Sequence, residues 1–331
     1  MDDRKIALIA FGGNALIERG KEGTQGEQLE NAARVAEILC NIVEKGFDLI
    51  LVHGNGPQVG NILIQVEEAV TKVPPLSLDV CVAQSEGSIG YMLEKALSNS
   101  FRKRGIKKDI VTILTEVEVS KDDPALKNPT KPIGPFYTAY RAEYLMAEKK
   151  WTMVEDSGRG YRKVVPSPKP IAILKMDVIK SLITQGYVLI AAGGGGIPVY
   201  RDERGFLHGI EAVIDKDYAA ALIAKEVGVD LFIILTDIEK VYLNYGKKSQ
   251  KELSLLTLKE AKRYFQQGQF PPGSMGPKVE AAIDFVETTG KEVLITSISS
   301  VKDAIEGKSG TLIIRESLPL FPPMVERTKE S

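Results

Sequence analysis

Lys5-Ile6-Ala7-Leu8-Ile9-Ala10-Phe11-Gly12-Gly13-Asn14 is a short apolar run that ends in a glycine pair. An apolar run of strand length bounded by Gly-Gly predicts a buried β-strand closing at a tight turn. Residues 27–45 follow with Leu29, Ala32, Ala36, Leu39 and Val43 at helical spacing, which turns one apolar stripe toward a sheet. Gly46 stops that helix. Phe47 to Val52 then forms a second β-rich run, closed by His53-Gly54-Asn55-Gly56-Pro57. The unit is β-α-β. Further strands are predicted at 110–115, 187–192, 230–236, 292–296 and 311–314, with helices near 79–98, 174–185, 215–227 and 276–288 between them. Uninterrupted apolar strands such as Leu231-Phe232-Ile233-Ile234-Leu235 suit a mostly parallel sheet covered on both faces, so the fold class is α/β.

With 331 residues the chain is long for one small core and suits two fused lobes. Lys plus Arg number 43 and Asp plus Glu number 44, so the net charge of −1 gives no general attraction to nucleic acid or anionic membrane. Anion binding must therefore be local. Cys40 and Cys81 are too few for a disulfide framework, and with only His53 and His208 there is no evident zinc set. The N-terminus has no signal-peptide pattern and no later apolar run reaches 18 residues, so a cytoplasmic protein without a membrane span is expected.

Residues 121–170 break the rhythm. Pro124, Pro129, Pro132, Pro135, Pro166, Pro168 and Pro170 concentrate there, out of 17 prolines in the chain, together with Lys127, Lys131, Arg159, Arg162, Lys163 and Lys169. Apolar residues look too sparse for a core, and one helix is predicted, at 138–148. The segment is expected to leave the sheet and cover a site.

Ligands of parallel sheets collect at the carboxyl ends of strands, and three glycine turns fall there. Gly12-Gly13 can bring backbone N–H groups to an anion, with Asn14 adding a side-chain amide. Gly54-Asn55-Gly56 precedes Pro57, which suits a first helical position. Gly193 to Gly196 strips side chains from a patch that something bulky is expected to approach. The familiar alternatives fail. Gly54, Gly56 and Gly60 are one residue too far apart for the dinucleotide fingerprint, and the Gly246-Lys247 pair lacks the earlier glycine of a Walker loop because position 241 is Val. No H-R-D or D-F-G set of protein kinases occurs. Lys131 sits between stiffening prolines, while Lys216 and Lys278 fall at helix starts, where the helix dipole disfavours a lysine unless an anion is near. Asp215 and Asp217 flank Lys216 and suit N-terminal capping.

Taken together, Gly12-Gly13-Asn14, His53 to Gly60, Asn128 to Pro135, Gly193 to Gly196, Glu211 to Asp217, Asn244-Tyr245-Gly246 and Pro272 to Met275 resemble the carbamate kinases of the amino-acid kinase family. The likeness runs from about residue 5 to 314; the stretches Asn128 to Pro135 and Asp156 to Pro168 are its most specific parts. It implies an open three-layer αβα sandwich with a mostly parallel central sheet and a protruding lid subdomain. The N-terminal lobe would span 1–212 and bind carbamate or carbamoyl phosphate, with the lid at about 121–170. The nucleotide lobe would span 213–314, followed by a tail at 315–331.

By the same resemblance Lys131, Lys216, Lys278 and Asp217 are catalytic, and Gly12, Gly13, Asn14, Gly54, Asn55 and Gly56 hold substrate and transferred phosphoryl. Gly194, Gly195, Asp215, Thr236, Asp237, Tyr242, Asn244 and Met275 are implied on the nucleotide side. Gly276 departs from the larger residue expected there, which would loosen the nucleotide pocket. ATP and ADP as substrates, Mg²⁺ carried mainly on their phosphates with no dedicated protein metal site, and a homodimer are further implications. The rivals are another amino-acid kinase acting on a carboxylate, which should lack the long Pro/Lys lid, and a non-catalytic nucleotide or carbamoyl-phosphate sensor, which would not need all three lysines.

Overall fold

The computed structural model describes residues 4–17, 20–156 and 158–315; the side chain of Asn14 and the tail from Glu316 lie outside what is described. β1 (Lys5–Phe11) leads to α1 (Gln25–Glu44), β2 (Phe47–His53), α2 (Gly56–Ala69), α3 (Leu78–Arg104), β3 (Ile110–Ile113) and β4 (Glu116–Val119). The excursion holds β5 (Lys131–Tyr137), α4 (Ala139–Lys149), β6 (Met153–Glu155) and β7 (Tyr161–Val165). The chain returns through β8 (Pro170–Ile173), α5 (Met176–Thr184), β9 (Val188–Ala191), β10 (Ile197–Arg201) and β11 (Leu207–Gly209). Then come α6 (Lys216–Val227), β12 (Leu231–Thr236), β13 (Val241–Leu243), β14 (Lys251–Leu253) and β15 (Leu255–Thr257). α7 (Leu258–Gln266), α8 (Met275–Thr289), β16 (Val293–Ser297), α9 (Val301–Ile305) and β17 (Thr311–Ile314) complete it.

The main sheet runs β15-β17-β16-β12-β1-β2-β9-β3. From β16 to β3 every pairing is parallel; β17 turns antiparallel against β16, and β15 lies parallel to β17 at the far edge. Its central strands are apolar on both faces, as a doubly covered sheet requires. Leu8, Ala10, Ile50, Val52, Phe232 and Ile234 point to one side, where α5, α6, α7 and α8 pack. Ala7, Ile9, Phe11, Leu49, Leu51 and Ile233 point to the other, against α1, α3 and α9. Each fully buried Leu, Ile or Phe contributes about 1.5–3 kcal/mol of transfer free energy. The expected α/β sandwich is present.

Local signals fix the helix ends. Thr24 accepts from Glu27 N while the Glu27 carboxylate accepts from Thr24 N, a reciprocal cap that starts α1. Gly105, Gly228 and Gly290 take the left-handed conformation that ends α3, α6 and α8. A second sheet, β11-β10-β4-β8, lies outside the main one.

The excursion differs from expectation. β5, β7 and β6 form an antiparallel sheet, and Ala142, Leu145 and Met153 pack with Tyr137, Met146, Trp151 and Tyr161 into a small core of its own. It sits on α2: a Cβ on Gly60 would overlap the Gly134 backbone, and Ile133 packs with Val59. Lys163 Nζ donates to Glu67 Oε1 at 2.8 Å, tying β7 to the same helix.

Candidate active site

The carboxyl ends of β1, β2, β12 and β16 open into one cavity of about 580 Å³. The N-termini of α2, α6 and α8 face it through Gly56, Asp215 with Lys216, and Ser274. This is the crevice where β1 has β2 from one half of the chain on one side and β12 from the other half on the other, the place where an open α/β sheet binds its ligand. Helix N-termini carry partial positive charge and free N–H groups, so three of them converging favour a polyanion.

Gly12 and Gly13 line the cavity, and a Cβ on Gly13 would come to 3.0 Å from the Pro57 ring. Gly54, Asn55 and Gly56 line it from β2, and a Cβ on Gly54 would stand 2.8 Å from Gly13 N. The two turns therefore interlock backbone to backbone. Gly54 N donates to Phe11 O at 2.7 Å, which sets their register.

The charged groups form one chain of pairs. Lys216 Nζ donates to Asp217 Oδ1 at 2.8 Å, and Lys278 Nζ donates to Asp217 Oδ2 at 2.8 Å. Lys131, from β5, donates to Asp215 Oδ2, while Asp217 N donates to Asp215 Oδ1 at 3.0 Å and caps α6. Burial works against ionisation of Asp215, but Lys131, Lys216 and Lys278 outweigh it and hold the carboxyl well below the usual range. Burial, partly offset by Asp217, brings the Lys216 ammonium down to about 8. For Lys278 burial pulls the same way, yet Asp217 and Asp215 win and raise it.

Asp156, Arg159 and Arg162 of the excursion line the same cavity, none of them singled out individually by sequence as a binding residue. Arg159 Nη2 and Arg162 Nη1 both donate to Asp156, at 3.0 and 3.2 Å. Both guanidiniums lie over the Phe136 ring, 4.6 and 5.1 Å from its centre. The signal available was the stretch Asp156 to Pro168 itself, specific as a pattern but giving no roles to its residues.

Of the residues that the resemblance assigned to the nucleotide, Gly194, Thr236 and Asp237 line the cavity, as does Asp215. Gly195, Tyr242, Asn244 and Met275 are not among the lining residues. A Cβ on Gly195 would overlap Ile214 O, Met275 is buried in the core, and Asn244 N donates to Gln269 Oε1 at 3.0 Å. What crowds the Gly193 to Gly196 turn is protein: Cβ atoms on Gly193 and Gly194 would overlap His53 and Asn55. Gly276 also has a packing reason rather than an opening effect, since its N donates to Pro271 O at 2.8 Å and a Cβ would come to 2.9 Å from that oxygen. His53 is fully buried, with Nδ1 at 3.1 Å from Gly54 O, and burial pulls its pKa down to about 4. Behind the turn, Glu86 accepts from Gly193 N at 2.8 Å and Thr115 N at 3.2 Å, and burial pushes its carboxyl up to about 8.

The family model described as "Amino acid kinase family" matches residues 5–297. The chain belongs to the amino acid kinase family. Within that family it is 48% identical over 315 residues to the carbamate kinase of Thermococcus kodakarensis, covering 94% of this chain and all of the relative. Carbamate kinase 2 of Staphylococcus epidermidis is 47% identical over 309 residues, covering 92% of this chain and 98% of the relative. Among solved structures, the Giardia lamblia carbamate kinase bound to citric acid superposes with a TM-score of 0.91 at 41% identity, covering 96% of this chain and all of that one.

Proposed function

We propose that this kinase transfers a phosphoryl group reversibly between ATP and carbamate, giving ADP and carbamoyl phosphate. The observation that carries the reading is the meeting of Lys131, Lys216 and Lys278 with the Gly12-Gly13 and Gly54–Gly56 turns in a single cavity. Near full-length likeness to carbamate kinases supports the acceptor.

The chemistry asks little covalent help from the protein. A carbamate oxygen, already anionic, attacks the γ-phosphorus; the bond to the bridging oxygen breaks and ADP leaves with its electron pair. No general base is needed, in keeping with a His53 that is buried away from the cavity. Catalysis is then in-line positioning and neutralisation of spreading charge. The glycine turns offer N–H groups to the transferring phosphoryl, Lys216 and Lys278 take up its charge, and Asp217 fixes both lysines. Asn14 is assigned to the same turn as a substrate ligand. Asp215, Gly194, Thr236 and Asp237 line the nucleotide half.

Magnesium fits as an ion carried on the nucleotide phosphates, where it neutralises charge. Asp215 and Asp217 are engaged by lysines, and the described residues hold no group of three or more metal-ligand side chains. The lobes at 1–212 and 213–314, with 121–170 as a lid, follow from the same reading. So does a homodimer, for which the exposed Tyr91 and Leu114 beside Gly87 provide an apolar patch. Arginine metabolism and a cytoplasmic location belong to it too, and among the described residues no helix is long and apolar enough to cross a membrane.

The test mixes the protein with carbamoyl phosphate and MgADP and measures ATP. Stoichiometric ATP is the expected result. Nucleotide binding without ATP would replace the enzyme by a sensor, and ATP formed only from an acyl phosphate of another carboxylate would change the acceptor.

A further inference from the structure

We propose that Arg162 binds the carbamoyl end of the acceptor, with Asp156 and Phe136 as the residues that aim it. This assignment rests on the carbamate kinase reading and adds to it a cation delivered by the excursion.

Three contacts fix the guanidinium. Nε donates to Gly134 O at 3.0 Å, Nη1 donates to Asp156 Oδ2 at 3.2 Å, and the plane lies over Phe136. Nη2 has no acceptor among the described residues, and it lies beside Gly56 at the start of α2: a Cβ there would stand 3.7 Å from it and 3.5 Å from Pro132 O. An arginine whose other donors are tied down thus presents one pair of N–H groups to a helix N-terminus. Both features favour the same anion.

The charge count points the same way. Asp156 is shared between Arg159 and Arg162, so one carboxylate faces two guanidiniums. Arg162 is largely withdrawn from water, with 12% of its side chain exposed. A desolvated charge that is only partly neutralised is costly unless an anion completes it. The three cavity lysines are already paired with Asp215 and Asp217. Arg162 lies with Gly56 and Pro132, at the glycine turn assigned to the acceptor. Held by Gly134, Asp156 and Phe136, the guanidinium offers Nη2 from a fixed direction to a carbamate oxygen, a pre-aimed donor that a flexible lysine ammonium does not reproduce.

The experiment compares wild type with Arg162→Lys, which keeps the charge and loses the anchored Nη2 donor, in ATP formation from carbamoyl phosphate and MgADP. The KM for carbamoyl phosphate should rise about 10- to 100-fold, with the KM for MgADP unchanged. Equal KM values for carbamoyl phosphate, or a parallel rise for MgADP, would overturn the assignment. If Arg162→Lys fails to melt cooperatively, Arg162→Met, which removes the buried charge, takes its place. Thermal-shift titration with carbamoyl phosphate reads the site without turnover. A stabilisation present in wild type and lost in the variant supports Arg162 even if no ATP forms; no shift in wild type, or equal shifts, would refute it.

Discussion

Lys216 and Lys278 share one carboxylate: each ammonium lies 2.8 Å from a different oxygen of Asp217. The two lysines come from the first turns of separate helices, α6 and α8, so Asp217 sets their spacing. Asp217→Asn should leave two buried ammonium groups without their counter-charge. Breaking a buried pair in this way costs about 3–5 kcal/mol. A lower denaturant midpoint together with slower turnover is the expected outcome, and an unchanged midpoint would show that the lysines do not depend on this carboxylate.

Lys278→Ala has a different expectation. Asp217 keeps Lys216 as a partner, so folding should persist while charge on the transferring phosphoryl loses one neutralising group. A fall in kcat of about 10²- to 10³-fold matches the loss of one electrostatic stabiliser. Normal turnover in a folded variant would remove Lys278 from the mechanism.

The pH dependence of kcat/KM should show a descending limb near 8. Burial lowers the Lys216 pKa to about 8, so the free enzyme loses that positive charge as pH rises through this value. Lys216→Arg stays charged throughout. Rates measured from pH 6 to 10 should keep the limb in wild type and lose it in the variant, at whatever lower absolute rate; a limb that persists belongs to another group.

Glu86 gives a stability signature of opposite sign to an ordinary ion-paired carboxylate. Its pKa rises from 4.5 to about 8 on folding, so between these values the native state binds more protons than the unfolded one. Stability from this group is fully present below pH 4.5 and is lost as pH rises through 8, with a slope of at most about 1.4 kcal/mol per pH unit. The difference in unfolding free energy between wild type and Glu86→Gln should therefore drift against wild type from pH 5 to 8. A flat difference would mean that Glu86 is ionised throughout.

Gly60→Ala tests how the excursion is seated. Its Cβ would overlap the Gly134 backbone, which has to shift, and overpacking of this kind costs about 1–3 kcal/mol. Since β5 and β7 also carry Lys131 and Arg162, kcat/KM for carbamoyl phosphate should fall more than the affinity for MgADP, as calorimetry of the nucleotide alone would show.

The sheet was legible because β1, β2 and β12 are apolar on both faces and end at glycine or polar turns, a local pattern that needs no partner to be seen. α2 was marked only at its first turn, by Pro57. α7 escaped because Lys259, Glu260, Lys262 and Arg263 make a charged stretch with Ala261 its only buried residue. The core of the excursion escaped for another reason: Tyr137, Leu145, Met153 and Tyr161 are spread over three strands and a helix, with no periodicity to join them. In the site, the three lysines and the first two glycine turns stood out by position. Glu86 and Arg162 did not, because each draws its meaning from what the fold places opposite it, Gly193 N in one case and Gly56 in the other.

The pairing of Lys131 with Asp215 joins the excursion to the cap of α6 across the cavity. On the proposed function, an arriving phosphate would not meet a bare ammonium; it would have to trade places with a resident carboxylate. Phosphate affinity at Lys131 would then be the difference between two similar ion pairs, a balance that would favour ready product departure after transfer.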